Sequence, residues 1–499
     1  MKHLRQEYRE IFAVTGLIAS VVAFVFLVPV LVSILYGEWI SVMIGFIVPF
    51  IVLELFGIGL WRIFRSTDAS RLSYLQGAVS VVLTWIIVAV VSTIPFIMIL
   101  NMNFTQAIFE TVSGWTTTGL TVLDVDLVPN SLLLFRSIMQ FLGGFGIVAL
   151  MITSIVGVGT MSTLYESEGH DQVLPNIKKT AQTLFSFYIS FMIVGALAYI
   201  VAGMPAFDAL NHSMSAIATG GFSVNNDSIG HYNSIPIEGI TIVLMFMGSL
   251  NFATYILFLR KRYDILKSVN EHRFYIGLIL LVIMAGIFFM YQQMYASFGE
   301  AFRYGIFESL TALTGTGYSI TNNYNVLPGM FIIFSIILMS IGGQSGSTTG
   351  GLKVTRVHLM FKTFRYTIRR AFQAERQITD NVVITPSGEK SIHRQDMIHV
   401  YNYASIYMTV LFFGALTLAS QGYGVRDSFF EYASALGTVG LSIGVTDTAM
   451  SAVSYWSMTL GMFLGRLEFL VVFIVLVKLY RDSATTLKSK FAKDDDNLG

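Results

Sequence analysis

The chain has 499 residues, of which 54% are hydrophobic and only 12% are charged. Soluble domains carry about a quarter charged residues, so this composition indicates a protein that lies largely in a lipid bilayer. The sequence contains no cysteine, which excludes disulfides, iron–sulfur clusters and thiol catalysis, and its formal net charge of +1 gives no reason to expect a nucleic-acid partner.

Ten apolar stretches are long enough to cross a bilayer, which takes about 20 residues. In chain order they are 11–36, 39–61, 75–100, 129–157, 182–203, 236–259, 274–294, 328–352, 398–420 and 452–479. The first stretch is too long for the apolar part of a signal peptide, so we expect it to be retained. The sequence therefore predicts an all-α membrane protein with ten transmembrane helices.

A polar motif with glycine at its seventh position lies between apolar stretches in four places. The copies are 113–121, 215–223, 311–319 and 434–442, here called the motif loops, and each begins and ends with Ser or Thr. A single copy is explained by small residues that let membrane helices pack closely. Four copies, spaced by roughly 100 residues, indicate instead an internal repeat of helix, pore loop and helix around one axis.

The repeats divide the chain into an N-terminal helix pair and four pseudo-symmetric units. The predicted boundaries are 1–71 for the pair and 72–165, 166–264, 265–380 and 381–499 for the repeats. Lys and Arg favour the cytoplasmic side of a membrane. With ten spans and both termini inside, the basic clusters share that side: Lys2/Arg5, Arg62/Arg65/Arg71, Lys178/Lys179, 260–273, 353–376 and 478–493. The opposite loops hold few basic residues, namely Arg136, Arg303 and Arg426, and the four motif loops open to the outside.

The motif loops have the composition of a cation filter. Potassium channels replace the water around the ion with rings of backbone carbonyls, and glycine adopts the positive φ that such backbones need. The predicted filter, with K⁺ held by backbone carbonyls and no other cofactor, is Thr117, Thr118, Gly119, Thr219, Gly220, Gly221, Gly315, Thr316, Gly317, Thr438, Val439 and Gly440. We expect a short helix before each loop, with Glu110, Glu308 and Glu431 near its N-terminal end as cap or dipole partners.

Glycine-containing pairs follow the filter glycines by 24 to 27 residues and are predicted helix breaks: Gly143-Gly144, Gly248-Ser249, Gly342-Gly343 and Gly465-Arg466. Residues 342–351, here called the polar loop, cannot form a regular helix in lipid and are expected inside the protein as a gate. The predicted gate residues are Gly342, Gly343, Gln344, Ser345, Gly346, Ser347, Gly350, Gly351 and Arg466. The polar loop lacks the Gly-Lys-Ser/Thr end of a phosphate-binding P-loop. Arg466, a charge inside an apolar span, is expected at the pore beside this loop, the alternative being a structural pair with an acidic group of another helix.

These motifs resemble the superfamily of potassium transporters that includes the Trk, Ktr and HKT proteins, and most closely the bacterial Trk-type potassium-uptake pore subunit. The resemblance rests on residues 116–119, 218–223, 342–351 and 465–468, and the extra N-terminal helix pair is a Trk feature that Ktr pore subunits lack. It implies potassium uptake across a bacterial inner membrane by a homodimer with one pore per protomer. It also implies a cytosolic nucleotide-binding ring that controls the gate. Gly119 favours potassium, since Ser replaces it in some sodium-passing plant relatives, while Thr348-Thr349 depart from the more glycine-rich loop of the family.

Two other classes of protein compete with a potassium pore. Secondary transporters also use repeats and broken helices, but usually two inverted repeats with several charges at mid-membrane. A membrane enzyme needs a metal-ligand or nucleophile–base set, whereas His212 is isolated and is expected to be a structural polar contact. The basic segment 361–397 is either an anchor at the lipid headgroups or a docking surface for a cytosolic partner.

Overall fold

A computed structural model of the chain describes residues 2–64, 73–146, 177–295, 297–321, 324–372, 382–385, 388–392 and 394–496. This part of the chain is almost entirely helical, apart from an antiparallel hairpin of β1 (Val382–Thr385) and β2 (Gly388–Ser391) in the basic segment 361–397. Residues 147–157 of the predicted span 129–157 lie outside the described residues, as do the basic residues Arg65, Arg71 and Arg376.

The N-terminal helices pack closely against each other. Helix α1 (Lys2–Ala23) continues through a 3-10 turn (Phe24–Phe26) into α2 (Leu27–Leu35), and α3 (Ile40–Phe64) packs along α1. A Cβ added to Gly57 would lie 2.7 Å from the carbonyl oxygen of Gly16 and 2.7 Å from the nitrogen of Ser20. The two glycines therefore let the backbones approach more closely than any side chain would permit.

The rest of the described chain repeats the order of long helix, short helix, motif loop and second helix. The first unit contains α4 (Tyr74–Val91), α5 (Thr93–Leu100), the short helix α6 (Phe104–Trp115) and α7 (Asn130–Phe145). The second contains α8 (Ile177–Val201), the short helix α9 (Ala206–Ile217), α10 (Ile235–Ser249) and α11 (Phe252–Leu259). 3-10 turns follow three of the motif loops, at Val125–Leu127, Ser228–Tyr232 and Tyr324–Val326.

The third unit contains α12 (Tyr263–Ser268), α13 (Asn270–Gln293), the short helix α14 (Phe298–Thr314), α15 (Gly329–Ile341) and α16 (Val354–Ala371). The fourth contains α17 (Arg394–Ser420), the short helix α18 (Val425–Leu436), α19 (Ala452–Leu467) and α20 (Phe469–Asp496). Short helices thus precede all four motif loops, as the sequence predicts.

Six helical segments of the described chain are long and apolar enough to cross a membrane: Gln6–Leu35, Ile40–Phe64, Tyr74–Leu100, Lys179–Val201, Asn270–Gln293 and Arg394–Ser420. Two bent pairs raise the number to eight if each is one span, since α10 and α11 meet at 96° and α19 and the start of α20 at 103°. The all-helical, membrane-spanning class is confirmed. The count of ten stays a prediction, because α7 leads into residues outside the description and α15 is shorter.

In all four units a helix ends within one residue of the predicted glycine-containing pair. Helix α10 ends at Ser249, and α15 ends just before Gly342. Helix α7 ends at Phe145 and α19 ends at Leu467, one residue after Gly143-Gly144 and Gly465-Arg466 respectively. The glycines of these two helices serve packing, because a Cβ on either residue would collide with the end of a short helix.

The colliding groups are equivalent in three units. A Cβ on Gly143 would meet the carbonyl oxygen of Trp115, one on Gly248 that of Ile217, and one on Gly465 that of Leu436. Each of these carbonyls belongs to the last residue of the short helix in the same unit. The glycine therefore sets how deeply the short helix sits against the second helix.

The contact between α1 and α3 yields a stability prediction. Gly57→Leu should force the helices apart and lower the stability by about 1–3 kcal/mol, as other overpacked cores do. The unfolding temperature of the purified protein in detergent measures this loss. Gly59→Leu is the matched control, because a Cβ on Gly59 in the same helix meets nothing within 4 Å. Equal effects of the two variants would contradict the packing role of Gly57.

Candidate functional site

The four motif glycines Gly119, Gly221, Gly317 and Gly440, here called the glycine ring, lie against one another's loops in a closed circle. A Cβ built onto each one would collide with the carbonyl oxygen just before the ring glycine of the next loop: Gly119 with Gly220, Gly221 with Thr316, Gly317 with Val439, and Gly440 with Thr118. The contacts run from the first loop through the second, third and fourth and back to the first. Four loops therefore enclose one axis, and their backbones are too close for any residue with a side chain.

Positive φ values recur at two positions of every motif loop. They occur at the ring glycines (91°, 77°, 82° and 95° in chain order) and at the residue two positions earlier: Thr117 at 57°, Thr219 at 50°, Gly315 at 66° and Thr438 at 52°. A left-handed threonine is uncommon, so the surrounding structure must stabilise this backbone. Alternation between left-handed and right-handed conformations brings successive carbonyl oxygens to one side of a strand, which a carbonyl-lined ion path requires.

A buried carboxylate supports the chain just beyond the glycine ring in three units. Glu110, Glu308 and Glu431 are fully buried. Each accepts a backbone hydrogen bond from beyond its ring glycine: Val122 to Glu110 at 2.6 Å, Ile320 to Glu308 at 2.9 Å and Ile443 to Glu431 at 3.0 Å. Backbone donors without helix or sheet partners need such acceptors when they are buried. The carboxylates thus act as braces of the loops.

The expectation that these glutamates sit at helix N-termini as cap or dipole partners is wrong. Each lies within its short helix, at a depth from which its side chain reaches the chain returning from the ring. All three stand nine residues before their ring glycine, and His212 takes this place in the second unit. That shared spacing was the available sequence signal for the braces.

His212 makes the structural polar contacts that the sequence predicts. Its Nδ1 lies 2.9 Å from the carbonyl oxygen of Asp208, and its Nε2 lies 3.0 Å from the Ser223 hydroxyl. Because a carbonyl only accepts, Nδ1 carries the proton. In the neutral ring Nε2 then accepts from Ser223 and has no second lone pair for a backbone N–H. The second loop is therefore braced differently from the other three.

Arg136 is not in an outer loop as the sequence suggests, but lies within α7 with 1% of its side chain exposed. Its Nε is 3.8 Å from a carboxylate oxygen of Glu110, and its guanidinium lies 4.0 Å from the centre of the Phe222 ring. Its Nη1 also donates to the carbonyl oxygen of Ser223 at 3.3 Å. Arg136 therefore joins the first and second loops, and Glu110 offsets a positive charge that would repel a cation nearby.

A cavity of about 320 Å³ opens on one side of the glycine ring and is lined by all four ring glycines, together with Arg136 and Asn226. Asn226 donates to the carboxylates of Asp124 at 2.6 Å and Asp126 at 2.8 Å. In the fourth unit, hydrogen bonds from the Thr448 hydroxyl and from backbone N–H groups lower the pKa of Asp447. This side of the ring is thus open and carries carboxylates.

The polar loop lies on the other side of the ring. It touches the residue two positions before the ring glycine in every motif loop. Thr117 donates to the Thr348 carbonyl at 3.5 Å, and the Thr219 and Thr348 hydroxyls lie 2.8 Å apart. A Cβ built onto Gly315 would lie 3.7 Å from the Cβ of Thr349, and a Cβ built onto Gly350 would collide with the Thr438 hydroxyl. The polar loop therefore covers the end of the four motif loops that faces away from the cavity, here called the inner end.

The break between α10 and α11 holds the polar loop in place. The backbone N–H of Gln344 donates to the Ser249 carbonyl at 3.0 Å, and its side-chain oxygen accepts from the backbone N–H of Asn251 at 2.9 Å. The Thr348 hydroxyl donates to the Gly248 carbonyl at 3.0 Å. Irregular backbone at this depth persists only where the protein itself supplies partners.

Arg466 fastens the polar loop from the opposite direction. Its Nη2 donates to the carbonyls of Gly143 at 2.6 Å and Gly144 at 2.9 Å, and its Nη1 donates to the carbonyl of Thr348. Glu468, two residues further on, pairs with Arg356 at 2.9 Å. The guanidinium therefore links the end of α7 to the polar loop.

The predicted filter residues all lie at the ring, and the predicted gate residues lie in or against the polar loop. Sequence reasoning missed three contributors: Thr348, which touches two motif loops; Lys353, whose ammonium donates to the Thr349 carbonyl; and Gln140, which contacts the second loop. Gln140 was visible as an amide within an otherwise apolar stretch. Within the described residues, no group of three or more His, Cys, Asp or Glu side chains is placed to hold a metal ion.

The family described as TrkH, cation transport protein, matches residues 45–486. The chain belongs to this family. The Trk system potassium uptake protein TrkG of Escherichia coli is 30% identical over 461 residues, which cover 90% of this chain and 93% of the relative. An uncharacterized cation transporter of Methanocaldococcus jannaschii is 28% identical over 489 residues, covering 97% and 98%. The crystal structure of the potassium transporter TrkH from Vibrio parahaemolyticus matches with a TM-score of 0.81 at 28% identity, covering 94% of this chain and 98% of that one.

The carboxylate braces yield a second prediction. Glu308→Gln should destabilise the protein by about 1–3 kcal/mol, because the Ile320 and Thr321 N–H groups then donate to a neutral amide oxygen, and hydrogen bonds to a carboxylate are stronger. The unfolding temperature in detergent measures this effect. Glu300→Gln, at the exposed start of the same helix, is the control and should leave that temperature unchanged. A variant at position 308 as stable as the control would show that the brace is dispensable.

Proposed function

We propose that the protein takes up potassium across the cytoplasmic membrane through the glycine ring, with the polar loop as its gate. The closed circle of contacts between the four motif loops carries this proposal. Loops with alternating left-handed backbone around one axis supply the oxygens that replace the hydration shell of a cation. The names of the relatives, potassium uptake proteins of the Trk system, support potassium as the transported ion.

The proposed architecture has ten spans: the N-terminal pair and four pseudo-symmetric repeats around the pore. In it, α7 begins the span predicted at 129–157, α15 and the polar loop form the span at 328–352, and two spans are bent, α10–α11 and α19–α20. The support comes from equivalent positions. Each repeat has a short helix, a ring glycine and a left-handed residue two positions before it. The boundaries 72–165, 166–264, 265–380 and 381–499 separate these sets of features.

The polar loop is proposed to block the pore in the state described here. It fills the space directly beneath the ring, and Arg466 adds a positive charge at that level, which opposes cation passage. Opening requires that the loop leave Ser249, Asn251 and Arg466. Its glycines permit the backbone to change conformation at little steric cost.

A cytosolic nucleotide-binding ring is proposed to control this gate, and two copies of the chain are proposed to form a homodimer in a bacterial inner membrane. Helix α16 offers the route for control, because it begins directly after the polar loop. It exposes Phe361 and Phe364, and Phe372 directly after it is exposed too, beside basic residues such as Arg365 and Arg369. Such a surface also suits lipid headgroups, so anchoring and docking are both compatible with this helix.

The filter assignment predicts that Gly119→Ser lowers the preference for potassium. The added Cβ would collide with the Gly220 carbonyl and displace an oxygen of the ion path. Rubidium uptake into proteoliposomes, with potassium and sodium as competitors, measures the preference, which should fall about tenfold or more. Gly203→Ser is the matched control: its φ is 97°, but a Cβ there meets nothing within 4 Å. If sodium and potassium inhibit rubidium uptake equally well in the unmodified protein, the ring is not a potassium filter. A secondary transporter for another solute then becomes the better interpretation.

The gate assignment predicts that Arg466→Gln raises uptake when no regulatory partner is present. The variant weakens charge-assisted hydrogen bonds to three carbonyls, each worth about 1.5–3 kcal/mol. Loss of even one should increase the open population about tenfold, since about 1.4 kcal/mol corresponds to that factor. Rubidium uptake is the measurement, with Arg365→Gln on the exposed side of α16 as the control. An unchanged rate in a variant that retains its ion preference would show that the polar loop is not the barrier.

A further inference from the structure

We propose that Gln140, which lies in α7 and outside the motif loops, is a specificity-determining residue that clamps the second loop of the glycine ring. This inference rests on the potassium pathway proposed above and adds a residue to it. The fully buried amide of Gln140 binds the second loop at three points. Its Nε2 donates to the Gly220 carbonyl at 2.5 Å, and its Oε1 accepts from the Phe222 N–H at 3.1 Å and from the Ser215 hydroxyl at 2.6 Å.

These contacts enclose a ring glycine. Gly220 and Phe222 are the residues directly before and after Gly221, so one side-chain amide fixes the peptide groups on both of its sides. The Gly220 carbonyl is also the group against which Gly119 of the first loop packs. Gln140 therefore controls the junction between the first two loops, where a shift of the oxygen would change the size of the ring.

The second loop needs this clamp because it lacks two supports that other loops have. At the position before the ring glycine the other loops carry Thr118, Thr316 and Val439, whereas the second has Gly220. The Thr118 and Thr316 hydroxyls lie 2.7 and 2.9 Å from those of Thr116 and Thr314. A Cβ on Gly220 would instead collide with the amide of Gln140. The carboxylate brace is replaced too, because His212 stands where the other units have a carboxylate and binds the Ser223 hydroxyl but no backbone N–H.

The other three second helices, α10, α15 and α19, carry methionine at the position that Gln140 occupies in α7. Gln140 stands three residues before Gly143, and the residues three before Gly248, Gly342 and Gly465 are Met245, Met339 and Met462, all fully buried. A buried amide in an apolar helix is costly unless its polar atoms are bonded. Here the oxygen and the nitrogen are both bonded to the second loop, so the polar residue occurs in the one unit whose neighbouring loop requires it.

The expected consequence concerns selectivity. Without the clamp the peptide between Gly220 and Gly221 is free to turn, and a ring with a mobile carbonyl contracts more easily around the smaller sodium ion. Whether fixed size or carbonyl field dominates selectivity in such filters, both depend on this oxygen keeping its place. A methionine at position 140 preserves the apolar packing of α7 but supplies neither the donor nor the acceptor.

The test compares the full-length protein with Gln140→Met and Gln140→Leu in proteoliposomes, using rubidium uptake and its inhibition by potassium and by sodium. Both variants should lose about tenfold or more of the potassium preference, since neither methionine nor leucine supplies the donor to Gly220 or the acceptor for Phe222. Met245→Leu, at the equivalent place in α10, should keep the preference of the unmodified protein. The unfolding temperature of each protein is measured in parallel.

The outcomes separate the inference from the proposed function. Absence of potassium-selective flux in the unmodified protein contradicts the pathway itself. Selective flux in the unmodified protein together with unaltered selectivity in the Gln140 variants overturns only the clamp. Should Gln140→Met fail to fold, the selectivity of Gln140→Leu decides by the same criterion. If the Met245→Leu control also loses potassium preference, Gln140 acts only as a packing residue like its equivalents in the other helices, and the inference is overturned.

Discussion

The close approach of a carbonyl oxygen to the α-carbon of a glycine, made four times in a circle, is the constraint on which the structure depends. It places the four motif loops at one depth, and each loop reaches that depth at the end of a short helix. The short helices in turn approach their second helices through glycines such as Gly143 and Gly465, against the carbonyls of Trp115 and Leu436. Small residues deep in the helices therefore determine the geometry of the ring without touching its axis.

A backbone that turns its carbonyls toward an ion path leaves its N–H groups facing the protein, where water does not reach them. Three units satisfy part of this demand with a carboxylate from the short helix, and the second unit does so with an amide from α7. The three carboxylates also differ in the charged and polar groups that surround them. Glu110 has Arg136 beside it, while Glu308 and Glu431 are bonded to hydroxyl and backbone donors. The four units are thus equivalent in backbone but different in the side chains behind it.

Much of this arrangement was predictable from local sequence. The seventh-position glycine identifies the ring because a required positive φ and a close approach leave no other residue, and the polar loop interrupts an apolar stretch too strongly to be a helix. The breaks near Gly143 and Gly465 were predicted to within one residue. That these glycines also admit the end of a short helix was not predictable, because only the neighbour shows it. The same holds for Gln140, whose partners lie on a chain segment that sequence spacing does not bring near it.

Thr348 shows how closely the polar loop and the ring are joined. Its hydroxyl lies against Thr219 and donates to Gly248, while its carbonyl accepts from Thr117 and Arg466. Both ring-side partners are threonines held in a left-handed conformation, which needs support from its surroundings. Any displacement of the loop removes hydrogen bonds from these two residues, so the inner end of the ring changes its environment whenever the loop moves. The proposed barrier and the proposed filter therefore share contacts in this fold, and a substitution at Thr348 is expected to act on both.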